Sequence, residues 1–75
     1  MSTDTKFLKA LGKNIDRLRK EQGITFQELA LRSDLEKSNL IKLASQGTNV
    51  TTNTVLKISR GLNIPLSEIF DFPYQ

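Results

Sequence analysis

The stretch FQELALRSDLEKSNLIKLASQG, residues 26–47, holds two short amphipathic segments divided by Asp34, Leu35 and Glu36. Ahead of the first, Thr25 is a helix cap with Glu28 three residues on, the pattern of a capping box, and Leu29 and Ala30 supply a buried face. The second segment spans about residues 36–45 and is closed by Gly47. On a wheel of about 100° per residue, Leu40 and Leu43 fall on one side, with Asn39 and Ala44 at its edges. Lys37, Ser38, Ile41, Lys42 and Ser45 fall on the other, and Ile41 sits among them. A helix of about nine residues does not stand alone in water. It must be held by the helices around it, with one face left free.

Outward from this stretch the helical period continues in both directions. Phe7, Leu8, Leu11, Ile15 and Leu18 recur at helical spacing with charges on the other faces. Gly23 stands where a left-handed residue ends a helix. Beyond the loop TNVT, Thr51 caps a fourth helix carrying Val55, Leu56, Ile58 and Leu62. Asn63 and Pro65 interrupt it, and LSEIF makes a last turn. No strand pattern, internal repeat or linker is visible. The expectation is an all-α fold: a compact five-helix bundle with short connections, forming one domain over residues 1–75.

Composition narrows the chemistry. The 75 residues include no cysteine and no histidine, so disulfides are excluded and the usual zinc ligands are missing. The same absence removes the commonest acid–base and nucleophilic groups. The four glycines are scattered singly rather than gathered in a phosphate loop. Neither an enzyme nor a metal, cofactor or small-molecule site is expected. No apolar run approaches the roughly 20 residues that span a bilayer, and MSTDTKFLKALGKN lacks the apolar core of a secretory signal. A soluble intracellular protein is therefore the default.

The net charge is +3, and six of the eleven basic residues lie in the first helix: Lys6, Lys9, Lys13, Arg17, Arg19 and Lys20. Residues 37–67 contain no acid, yet include Lys37, Lys42, Lys57 and Arg60. An acid-free half with short polar segments suits a polyanionic partner. A short helix braced by the one before it, with a free polar face, is the helix-turn-helix arrangement, here about residues 25–46. In it the second helix enters the major groove of DNA. Lysine donates to guanine O6 and N7, serine bonds to any base edge, and a methyl-bearing side chain packs on the thymine methyl. Ile41 is then either an apolar reader among polar ones or an exposed apolar residue of the common kind.

Residues 13–70 resemble the Cro/repressor-type, or XRE-like, helix-turn-helix family. The resemblance is carried by LRKEQGITFQELALRSDLEKSNLIKLASQG and by TVLKISRGLNIPLSEIF. A glycine after helix one, Leu-Ala in helix two, an apolar residue in the turn and a TLxKIAxALGV-like fourth helix recur at this spacing. The resemblance implies a repressor-like bundle and a sequence-specific, double-stranded-DNA-binding transcriptional regulator of bacterial or phage type, cytoplasmic. It assigns base reading to Lys37, Ser38 and Lys42, with Asn39 as a further candidate; Ile41 joins them on its own chemistry if it is the apolar reader. Phosphate contacts would fall to Thr25 and Gln27 at the start of helix two, to Arg19, and to Thr48 and Asn49 in the loop. Small phage repressors and restriction-modification controller proteins both fit, and nothing in the chain chooses between them.

Three positions depart from the family pattern. Phe26 stands where glutamine often touches the DNA backbone, which moves that contact to Gln27. The helix-one arginine, here Arg19, often pairs with a glutamate near the end of helix three. That position is Ala44, so Arg19 is freed for a phosphate or another acid. Glu36 replaces a typical serine or threonine cap; its charge suits the helix dipole but repels a nearby phosphate.

A module of this size usually gains affinity by pairing on half-sites, and a symmetric homodimer is expected. Ile69, Phe72 and Tyr74 are the candidate interface residues. Leu66, Ile69 and Phe70 also suit the core beneath helices one and four, whereas Phe72 and Tyr74 lie beyond the last helix as an apolar tail. The rival reading is a protein-interaction module, antitoxin-like or adaptor, in which Phe26, Ile41, Phe72 and Tyr74 form a docking surface. Salt discriminates, because phosphate binding weakens steeply as salt rises.

Overall fold

In a computed structural model, which describes residues 2–74 and side chains over residues 5–74, the chain forms five helices. These are α1 (Ser2–Glu21), α2 (Phe26–Ser33), α3 (Lys37–Gln46), α4 (Thr52–Leu62) and α5 (Leu66–Ile69). One core gathers Leu11, Ile15 and Leu18 from α1, Leu29 and Ala30 from α2, and Leu40 and Leu43 from α3. Val55, Ile58 and Leu62 of α4 and Ile69 of α5 complete it. The apolar positions read for α2 and α3 all lie in this core, as do Leu11, Ile15 and Leu18 of α1 and Val55, Ile58 and Leu62 of α4.

Three of the helices stop in the same way. At each end a left-handed residue is followed by an aliphatic one: Gly23-Ile24, Asp34-Leu35 and Asn63-Ile64. The amide of the aliphatic residue bonds back to a carbonyl in the last turn, Ile24 to Arg19, Leu35 to Ala30 and Ile64 to Ser59. This is the Schellman arrangement, with its accompanying apolar contact. Ile24, Leu35 and Ile64 all pack against the core, so each stop also fixes the direction of the next segment. Asp34 and Asn63, both at φ 57°, occupy a region that asparagine and aspartate tolerate better than other side chains.

Two interhelical approaches are close enough to exclude a side chain. A Cβ on Gly12 would run into the Leu43 carbonyl oxygen, where α1 crosses α3. A Cβ on Gly61 would meet Ser33 Oγ, where α2 crosses α4. Gly47, the left-handed stop of α3 at φ 67°, lies against the backbone of Lys9 in α1. α3 is thus seated on α1 at two points along its length.

Polar groups tie down the helix ends at long range. Asn14, buried in α1, donates through Nδ2 to the carbonyls of Glu68 at 3.0 Å and Ile69 at 2.8 Å. Its own oxygen accepts from Arg17 Nε and Nη2 at 3.1 and 2.8 Å. Gln22 Nε2 donates to Leu62 O at 2.6 Å at the end of α4.

The C-terminal region corrects the sequence reading at several residues. Ile69 is fully buried within the protomer, because α5 turns it inward beneath α1. It offers no surface to a dimer partner. Leu66 and Phe70, expected in the core, are instead 40% and 46% exposed. Spaced four residues apart, they share the outer side of this single turn. The tail does not project: Phe72 and Tyr74 fold back on Phe7, with ring centroids 5.8 and 5.1 Å away, the tyrosine edge-on. That intramolecular cluster gives both aromatics a role inside one chain.

Candidate nucleic-acid interface

α2 begins as the sequence indicates, with Thr25 Oγ1 accepting from the Glu28 amide at 3.1 Å. The reciprocal half of the capping box is not formed. The Glu28 carboxylate accepts instead from Arg32 Nε at 2.9 Å, one turn along, where the opposite charge is the stronger attraction. Gln27 is exposed beside it.

Arg19 takes the second of its two expected partners, an acid. Its Nε and Nη2 donate to Asp16 Oδ1 at 3.1 and 2.8 Å, and Nη1 donates to the Ile24 carbonyl at 2.7 Å. The guanidinium lies 4.1 Å from the centroid of the Phe26 ring, within reach of a cation–π contact. Two departures from the family pattern therefore meet: the arginine without a glutamate on α3 stacks on the phenylalanine that replaces a glutamine. With its side chain only 14% exposed, Arg19 braces the corner between α1 and α2. Burial pushes the Asp16 carboxyl up, but hydrogen bonds from Arg19 and Lys20, with their charges, outweigh it. The result lies below the ordinary 3.8.

α3 presents Lys37, Ser38, Asn39, Ile41 and Lys42 to solvent, with Leu40 and Leu43 buried opposite. Ile41 is 37% exposed. Among the described residues, neither Lys37 nor Lys42 has a carboxylate within ion-pair reach. Ser45 Oγ donates to the Ile41 carbonyl at 2.7 Å, so its proton is committed to its own helix. Asn39 Nδ2 donates to Glu36 Oε1 at 3.2 Å.

The loop after α3 brings a second group of candidates alongside. A groove of about 330 Å³ has Asn39 and Lys42 from α3, Thr48 and Asn49 from the loop, and Thr51 and Thr54 from the start of α4 on its walls. Thr51 caps α4, accepting from the Thr54 amide at 3.1 Å, and the first turn of α4 carries no acid. The positive end of α4 therefore faces the same groove without a carboxylate to offset it. Sequence reasoning named Thr48 and Asn49. It missed Thr51 and Thr54, whose capping pattern alone gives no sign that they share a wall with Lys42.

A short helix pair joined through Asp34, Leu35 and Glu36, with the second helix exposing a cationic, acid-free outer face, defines a helix-turn-helix domain of the DNA-binding kind. Residues 14–75 match the Cro/C1-type HTH DNA-binding domain, and the chain belongs to that family. No curated protein sequence matches it. Among solved structures it is similar to the restriction-modification controller protein C.AhdI from Aeromonas hydrophila, at 28% identity and TM-score 0.81. That match covers 84% of this chain and 96% of the other. It is similar to the wild-type controller protein C.Esp1396I at 25% identity and TM-score 0.80, covering 87% and 84%. The clp gene regulator ClgR from C. glutamicum shares the fold at 22% identity and TM-score 0.78, covering 84% and 82%. No helix among the described residues is long and apolar enough to cross a membrane.

Proposed function

We propose that this protein is a sequence-specific transcriptional regulator that inserts α3 into the major groove of double-stranded DNA and acts as a symmetric dimer. The observation that carries the reading is the outer face of α3, where Lys37 and Lys42 stand exposed without acidic partners among the described residues. Lys37, Ser38, Asn39, Ile41 and Lys42 meet base edges; the lysines suit guanine and Ile41 suits a thymine methyl. Thr25 and Gln27 at the start of α2, and Thr48 and Asn49 beside the start of α4, meet phosphates through hydroxyls, amides and the positive helix ends. Arg19 supports these contacts from behind, through Phe26.

Pairing brings two α3 helices onto half-sites about one turn of DNA apart. Leu66 and Phe70, exposed on one side of α5, are the apolar residues best suited to that contact, with Tyr74 at 38% exposure nearby in sequence. The similarity to controller proteins supports a regulatory role of the same kind. Selection from a random duplex pool, with wild type beside a Lys37/Ser38/Lys42 triple-alanine variant, tests the reading. We expect a two-fold symmetric motif that the folded variant no longer enriches. A folded wild type that enriches nothing at low salt would sink the DNA reading and favour a protein partner for Ile41.

A further inference from the structure

At the N-terminal tip of α3 no side chain caps the helix. Glu36 takes the cap position at φ −78° and ψ 135°, but its carboxylate caps no amide. It accepts instead from Asn39 Nδ2 at 3.2 Å, and both residues are exposed. That bond orients the Asn39 amide, turning its nitrogen toward Glu36 and leaving Oδ1 as an acceptor. The carboxylate keeps a second oxygen, also an acceptor. Lys37, next in sequence, forms no ion pair with Glu36 among the described residues. The tip therefore offers two acceptors beside a cation that does not neutralise them.

Such an array is selective. In the major groove guanine presents two acceptors, thymine an acceptor and a methyl group, and adenine an acceptor beside its amino donor; cytosine presents its N4 amino donor and no acceptor. A carboxylate brought against DNA is repelled by phosphates and by acceptor edges. An amino edge is the one place in the groove where it is welcomed. Resting on the reading of α3 as the groove-entering helix, we propose that Glu36, oriented with Asn39, is a specificity-determining residue that selects cytosine at one position of each half-site. The carboxylate accepts from cytosine N4. Opposite guanine the same geometry sets oxygen against oxygen and rejects the sequence.

The test compares motifs selected from a random duplex pool by wild type, Glu36→Gln and Glu36→Ala, each shown to be folded by circular dichroism and thermal melting. The wild-type half-site should carry a cytosine that Glu36→Gln shifts toward adenine, because a carboxamide pairs with adenine N6 and N7. Glu36→Ala should leave that position degenerate, losing a preference of about tenfold. An identical motif from all three proteins overturns the assignment while leaving α3 as the reader. So does uniformly tighter binding by Glu36→Ala with the motif unchanged, which would make Glu36 only a source of repulsion. A wild type that selects no motif removes the DNA reading itself, and this inference with it.

Discussion

α2 and α3 are neighbours of similar length, 8 and 10 residues, yet their polar side chains are put to different uses. α2 has a hydroxyl cap, an acid in its first turn, a base in its last, and an ion pair joining the two. Each of these stabilises the helix that carries it. α3 has no side-chain cap, no acid in its first turn and no base in its last. Its Ser45 hydroxyl turns back to a carbonyl one turn earlier, a bond that tends to weaken a helix. What α3 lacks in self-stabilisation it recovers by burying Leu40 and Leu43 and by seating its backbone on α1 at Gly12. Lys37 and Lys42 on its outer face stay exposed, with no ion pair among the described residues.

Four substitutions break or sharpen this contrast. The largest effect is expected where α3 depends on its neighbours: Leu40→Ala, at a residue 2% exposed, should cost about 3 kcal/mol in urea denaturation. A loss below about 1 kcal/mol would mean that α3 is held by something other than packing. Thr25→Ala removes the α2 cap and should cost about 1 kcal/mol, seen as a lower melting temperature. Glu36→Ser supplies the cap that α3 lacks and should raise stability by roughly 0.5 kcal/mol; no gain would show that the α3 end is already satisfied. The smallest effect belongs to Glu28→Ala, which breaks an ion pair whose side chains are about half exposed. Its cost should stay within about 0.5 kcal/mol.

Acid adds a separate check on the corner that supports α2. The Asp16 carboxyl is held below 3.8 in the folded chain, so its contribution is present above that pH and is lost as pH falls through the lower, folded value. Stability of the wild type should therefore decline below pH 3.8 more steeply than that of Asp16→Asn, as followed by thermal melting.

The helices and their buried faces are legible in the chain because each is set by local spacing: Leu40 with Leu43, Ile15 with Leu18, and Gly23 and Gly47 as stops. Asp34 and Asn63 are harder to read, since either residue is ordinary in any loop and only the following Leu35 and Ile64 disclose the left-handed stop. What joins distant segments leaves no local period. The Asn14 bonds to Glu68 and Ile69 cross more than fifty residues, and Gly12 looks like any helical glycine until α3 lies against it. The same blindness misplaced Leu66 and Phe70 and left Ile69 read both as core and as interface, because a four-residue helix has no period long enough to assign its inner side. On the candidate site, the outward set of Lys37, Ser38, Ile41 and Lys42 follows from the wheel. The use of Asn39 by Glu36, of Arg19 by Asp16 and Phe26, and of Ser45 by its own helix does not, because side-chain partners depend on rotamers that residue spacing leaves open.

Titrating a selected duplex with wild type and with a Lys37→Ala/Lys42→Ala variant across a salt series, alongside their melting curves, tests most directly whether α3 is the reading element. We expect equal melting temperatures, an affinity lower by roughly tenfold or more at moderate salt, and a shallower salt dependence in the variant. A folded variant that binds the same duplex with the same affinity and salt slope would contradict the assignment of α3 to the groove.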